Sequence, residues 1–202
     1  RSTLFPYTTL FRSSIIRPRT ILGHGRLGIF QILFEWVING YNLPVFDGGK
    51  NVYQFCHADD LADACILSSE LDVNGIYNIG AEEYGTMRQL LQGLIDHAGG
   101  KQKITSLNSN LIKPFMTISS ITNLSPLGAY HAKMYGSSMF FDLKKAKNDL
   151  GWVSNFSNQE MIKESFDWYV SNRNDVLSNS KKRSHHKSLV KQGILSLIGK
   201  LL

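Results

Sequence analysis

The residues that could do chemistry crowd into positions 51–69, NVYQFCHADDLADACILSS. A phenol (Tyr53), an imidazole (His57), two thiols (Cys56 and Cys65) and three carboxylates (Asp59, Asp60 and Asp63) fall close together there. Val52, Gln54 and Cys56 alternate with Tyr53, Phe55 and His57, the period of a short strand with two different faces. Asp59 and Asp60 then offer a carboxylate to cap a helix start, and Asp63 adds charge to its first turn, where the helix dipole favours it. Leu61, Ala64, Cys65 and Leu67 or Ser68 form the apolar stripe behind that cap. Both cysteines therefore sit in regular elements and are expected as packed thiols rather than a disulfide, which suits a reducing compartment.

The elements that must position this stretch alternate between strand and helix. Ile15 and Ile16 read as the end of a buried strand that Pro18 terminates, and Gly23 and Gly25 permit a tight loop. Phe30, Leu33, Phe34, Val37 and Ile38 have helical spacing, closed by Asn39-Gly40. A strand over 42–46 and a turn at Asp47-Gly48-Gly49 lead into the central stretch, and a strand over 75–80 follows it. Thr86 caps a helix with Met87, Leu90, Leu91, Leu94 and Ile95 on one face, stopped by Gly99-Gly100 before a strand at 104–107. Residues 112–135, interrupted by Pro114 and Pro126, read as helical pieces around a cleft. A strand over 138–142, a short helix closed by Gly151-Trp152, and a helix capped by Ser157 with Met161, Ile162, Phe166 and Tyr169 inside complete the pattern.

Charge placement excludes a nucleic-acid reading. The chain of 202 residues has net charge +6, but 178–202 holds six Lys or Arg and no acid, and Arg1 and Arg12 lie in the first 13 residues. Residues 14–177 hold 14 basic and 16 acidic residues, so the folded part is slightly acidic. No zinc spacing or basic recognition helix occurs, and no apolar run approaches the roughly 20 residues that span a bilayer.

Four segments carry a resemblance: Arg17-Pro18 followed by Gly23-His24-Gly25; the strand and Asp-Asp pair of 51–69; Tyr77-Asn78-Ile79-Gly80; and Asp142 with Lys145-Ala146 ahead of Leu150-Gly151-Trp152. Together they resemble the extended short-chain dehydrogenase/reductases, the NAD-dependent epimerase/dehydratase family, over residues 14–174. The resemblance implies an α/β fold: the C-terminal part of a Rossmann-type doubly wound domain plus a substrate-binding lobe, without the N-terminal dinucleotide-binding half. It places Arg17, Pro18 and Thr20 on the cofactor side and Leu22, Gly23, Phe30, Val45, Tyr53 and His57 on the substrate side. For Tyr53 and His57, packing of an ordinary strand face is the competing reading.

Departures from the family pattern bear on the substrate. His24 stands where the family usually has Pro. Tyr53 stands where nucleotide-sugar members often carry an Arg that contacts the diphosphate, and a later Arg-Pro-Gly-Asp has no counterpart near 136–139. Both shift weight toward a less charged substrate, as in the hydroxysteroid and flavonol branch. The family's chemistry also needs a Gly-rich pyrophosphate turn and a Tyr-x-x-x-Lys pair. Gly23-His24-Gly25 is too short for the turn, Tyr130 and Lys133 are one residue short of the pair, and His185-His186 lacks partners for a metal. No catalytic residue and no metal ligand is assigned, and the chain alone is expected to be inert and to bind neither NAD nor NADP tightly. The parent protein would move a hydride between nicotinamide and a secondary alcohol or ketone. The alternatives are a dehydrogenase for an apolar alcohol at a membrane surface and a non-catalytic binding or sensing relative.

The two ends read differently. Residues 1–13, RSTLFPYTTLFRS, resemble translated sequencing-adapter DNA, so natural sequence is expected to begin near Ser14, inside a gene. In 178–202 a basic linker precedes Val190, Ile194, Leu197, Ile198 and Leu201 on one helical face, an amphipathic helix for 189–202 suited to an anionic membrane or a protein partner. The expected setting is cytoplasmic, or peripheral to the inner face of a membrane, with a small-molecule substrate and no nucleic acid.

Overall fold

The computed structural model describes residues 13–71, 73–112, 114 and 134–178. The expectations for 1–12 and for the 189–202 helix, and most of those for 112–135, lie outside the described residues. Parallel pairing dominates the mixed α/β fold. β1 (Ser14–Pro18) pairs with a strand at Gly75–Ile79, β2 (Thr20–Leu22) with one at Phe55–His57, and β3 (Leu43–Phe46) with one at Ile104–Leu107. In chain order the strands after β3 are β4 (Val52–Tyr53), β5 (Phe55–His57), β6 (Gly75–Ile79), β7 (Gly85–Thr86) and β8 (Ile104–Leu107). The pair β4–β7 is antiparallel. Arg19 is the joint between β1 and β2: its N–H donates to Ile79 O at 3.0 Å as the chain passes from β6 to β5.

Helices cover these strands in two groups. α1 (Phe30–Ile38), α3 (Met87–His97) and α5 (Asn158–Ser178) enclose the larger core, and α2 (Ala58–Glu70) and α4 (Lys144–Leu150) the smaller one, around Tyr77 and Trp152. α1 is buried on every side from Phe30 to Val37, its two polar residues, Gln31 and Glu35, included, and Glu35 is satisfied there by Tyr169 and Arg173. α3 and α5 start on capping boxes: Thr86 with Gln89, and Ser157 with Glu160. α4 ends on Gly151 in the left-handed region at φ +64°, which a side chain would resist. Thr86→Ala is expected to cost about 1 kcal/mol, read from urea denaturation, because Gln89 N–H at the start of α3 loses its acceptor. Among the described residues no helix is long and apolar enough to cross a membrane.

The structure corrects the sequence reading at five places. The strand expected through 52–57 is two strands broken at Gln54, whose buried side chain donates from Nε2 to Ala81 O (2.7 Å) and accepts at Oε1 from Phe141 N–H (2.9 Å). Phe55, Cys56 and His57 are all buried, so there is no solvent face to alternate with. Neither Asp59 nor Asp60 is the cap of α2: His57 is, with Nδ1 accepting from Asp59 N–H at 3.2 Å, because the helix begins at Ala58. Cys65 is exposed while Cys56 is buried, since α2 turns only a narrow stripe of Leu61, Ala64 and Leu67 inward. Burial pushes the Cys56 thiol up to about 12. Residues 138–142 make a single bridge, Met139 to Tyr53, because Phe141 N–H is taken by Gln54. Ile15 is exposed rather than buried, with only one partner strand beside β1 among the described residues.

Candidate functional site

A cavity of about 420 Å³ opens between β2, the loop at 26–29, the first turn of α1, Tyr53 and Tyr135. Its walls are mainly apolar, with Leu22, Phe30, Leu33 and Met87 among them. Polar groups enter at a few points. Thr20 Oγ1 and Tyr53 OH share a hydrogen bond of 3.1 Å, and Arg19 and Arg26 are among the lining residues. Arg19 is 9% exposed, and its guanidinium lies over the rings of Tyr53 (5.2 Å) and Phe141 (5.1 Å). Among the described residues, its buried Nε and Nη2 have no hydrogen-bond partner. Tyr135 OH donates to Pro44 O at 2.8 Å, and burial raises its pKa.

Beside the cavity, the loop 23–25 is pinned by rings. His57 is 1% exposed, stacks on Phe156 at 3.7 Å, and lies 3.0 Å from Glu164 through Nε2. Its Nδ1 accepts from a backbone N–H, so the ring proton sits on Nε2 and is donated to Glu164. Both nitrogens are committed, and His57 joins α2 to α5. His24 holds φ +50° and reaches Asp59 Oδ1 with Nε2 at 2.6 Å.

The structure gathers some of the expected site residues and separates others. Thr20, Leu22, Phe30 and Tyr53 line the cavity. Gly23 and His57 pack on each other beside it, and Val45 is fully buried in the larger core. Arg17 is exposed, with Nε donating to Asn78 Oδ1 at 3.1 Å, and Pro18 is paired with Ile79. Arg19, Arg26 and Tyr135 were not anticipated. A signal for Arg19 was available in its charge, set between two strands whose other residues near it are mostly apolar.

One pattern passed over in the sequence is Gly23-x-Gly25-x-x-Gly28, between β2 and α1, which has the spacing of a dinucleotide turn. Its geometry does not fit that group. A Cβ at Gly23 (φ +98°) would lie 2.4 Å from His57 Nε2, and one at Gly25 (φ +71°) 2.6 Å from the Trp168 ring. These glycines make room for the protein's own rings rather than for a pyrophosphate. Of the three residues expected on the cofactor side, Arg17 and Thr20 have their side chains engaged by Asn78 and Tyr53, and Pro18 is paired with Ile79.

Residues 10–80 match the sequence model of the NAD dependent epimerase/dehydratase family. An uncharacterized protein, y4nG, of Sinorhizobium fredii is 46% identical over 185 residues, covering 92% of this chain and 46% of that protein. UDP-glucose 4-epimerase of Thermotoga maritima, solved with UDP-glucose, superposes with TM-score 0.58 at 21% identity, over 79% of this chain and 46% of that one. UDP-glucuronic acid 4-epimerase of Bacillus cereus, solved with UDP-glucuronic acid and NAD, gives 0.57 at 17% identity, over 78% and 45%. At these identities the structural likeness shows the fold. The chain spans less than half the length of each of these proteins.

Proposed function

We propose that this chain, a relative of the NAD dependent epimerase/dehydratases, forms the substrate-binding lobe of an oxidoreductase or epimerase acting on a secondary alcohol or ketone. The substrate would be a nucleotide sugar or a similar small molecule. The observation that carries the reading is the cavity of about 420 Å³, a size suited to a small molecule, with the Thr20–Tyr53 pair in its wall. In this reading the two hydroxyls hydrogen-bond and orient the substrate, and Leu22, Phe30 and Leu33 exclude water from it.

Hydride transfer is the chemistry that a nicotinamide dinucleotide supplies when bound. The residues at 17–28 do not make a cradle for its pyrophosphate, so the role assigned to this chain is confined to binding and orienting the substrate. The apolar walls favour a second reading, an apolar alcohol as substrate, but the two arginines at the cavity weigh against it.

Fluorescence titration of the 202-residue chain with NADH tests the division of labour. The expected result is no saturable signal at micromolar cofactor. Saturable binding in that range would place a dinucleotide site within this chain and overturn the proposal.

A further inference from the structure

We propose that the basic segment 181–187 of this chain folds back along α5 and docks as a strap in a groove beside the loop 23–25. The inference does not depend on what the cavity binds.

The groove holds about 880 Å³ and follows one face of α5, with His24, Asn155 and Phe156 as its other walls. It shares no lining residue with the cavity. Glu160, Glu164 and Asp167 enter it from successive turns of α5, and among the described lining residues the only Lys or Arg is Lys163. An imidazole takes a single oxygen of two of these carboxylates: His57 meets Glu164 Oε2, and His97 meets Asp167 Oδ1. The bond from His57 leaves the Glu164 charge in place, because that ring carries one proton, on Nε2. Both carboxylate side chains remain well exposed. Hydrogen bonds from Ser157 lower the Glu160 pKa and hold it ionised. The Trp168 ring, which closes on Gly25, adds an aromatic wall. Carboxylates beside an aromatic ring suit lysine and arginine side chains, which pair with the first and lie over the second.

The chain carries the matching occupant. Lys181, Lys182, Arg183 and Lys187 follow α5, outside the described residues, and 178–202 contains no acid. α5 ends at Ser178, so Glu160 lies about 27 Å back along the helix at 1.5 Å per residue. Residues 179–187 span at most roughly 30 Å when extended, which brings the four cations between the end of α5 and Glu160. Tethering gives them an effective concentration of about millimolar at the groove, where several weak exposed ion pairs suffice. A separate basic partner lacks that advantage. The docked strap lies against His24 and Trp168 and so stiffens the loop that joins Leu22 to Arg26, both in the cavity wall.

The test places a nitroxide at Ser184→Cys in the 15N-labelled 202-residue chain, with exposed Cys65 replaced by Ser and buried Cys56 retained. The reporter is the Trp168 indole N–H, assigned through its loss in Trp168→Phe. At about 0.02 M salt the nitroxide should weaken that signal at least twofold relative to the reduced label. Raising salt to about 0.5 M should restore it, because screening then acts over only a few ångströms. Replacing Lys181, Lys182, Arg183 and Lys187 together by Ala should abolish the salt-sensitive broadening. Lys163→Glu, which adds negative charge to the groove, should raise the salt concentration that releases the strap. Circular dichroism confirms that each variant is folded. Broadening that neither salt nor the four alanines change would reflect the tether alone and overturn the proposal. An unchanged release point in Lys163→Glu would do the same, because the segment would then lie elsewhere. If Trp168 is unaffected while phosphatidylglycerol vesicles take up the chain, the segment belongs to a membrane surface and the groove assignment falls.

Discussion

Asp60→Ala is expected to destabilise the protein by about 3 kcal/mol, and Asp59→Ala by less than about 1 kcal/mol. The two neighbours differ in everything but sequence. Asp60 is fully buried, and its carboxylate accepts from Asn155 N–H (2.9 Å), Asn155 Nδ2 (3.0 Å) and Ser154 Oγ (3.3 Å). Its carbonyl accepts from Trp152 Nε1 at 2.8 Å. The start of α2 is thus fastened to the segment that leads from α4 to α5, and removing the carboxylate takes away the acceptor of Asn155 N–H, Asn155 Nδ2 and Ser154 Oγ together. Asp59 is half exposed and meets His24 at the surface, where such pairs contribute little. Urea denaturation of the two single variants measures the difference. Equal losses would mean that the Asp60 contacts do not hold the two segments together.

Glu35→Ala is expected to cost between about 2 and 4 kcal/mol, because it breaks a pair at the α1–α5 interface. Arg173 donates to Glu35 from Nε (2.6 Å) and Nη2 (3.0 Å), and Tyr169 OH donates at 2.7 Å. The lower half of the range allows for Arg173, whose side chain is 33% exposed and regains water when the partner goes. Burial works to raise the Glu35 pKa, but hydrogen bonds from Arg173, Tyr169 and Asn39 and the charge of Arg173 outweigh it, and the net direction is downward from 4.5. A carboxyl group whose folded pKa is depressed stabilises the fold above its unfolded pKa and loses that contribution as pH falls through the folded value. The stability gap between wild type and Glu35→Gln should therefore be constant near neutrality and shrink below about pH 4.5. Melting curves across that range decide it. A gap that is flat, or that widens in acid, would contradict the assignment.

Local patterns in the sequence were enough for most elements. The capping boxes of α3 and α5 and the glycine stop of α4 each need only neighbouring residues, and all three stand where the chain places them. The inward faces of α3 and α5 follow in the same way, because a spacing of three and four residues puts Leu90, Leu91, Leu94, Met161, Ile162 and Phe166 against one core. Strands over 43–46, 75–79 and 104–107 were legible from short apolar runs between turn residues.

Long-range contacts decided the site. Three of four successive residues, His57, Asp59 and Asp60, had capping chemistry, and the pairing of β5 with β2 as far as His57 chose among them. Gln54 reads as one polar residue of an alternating strand, yet it breaks that strand because Ala81 and Phe141, remote in sequence, satisfy its amide. Val45 and Tyr53 look alike as strand residues, but only Tyr53 borders the cavity. The chain by itself determined the caps and inward faces of α3 and α5 and the stop of α4, because those choices rest on neighbours a few positions away. Tertiary structure alone decided that Gly23 and Gly25 accommodate rings and that Arg19 comes to rest between Tyr53 and Phe141 with two donors unmet, because those partners lie up to 143 positions away.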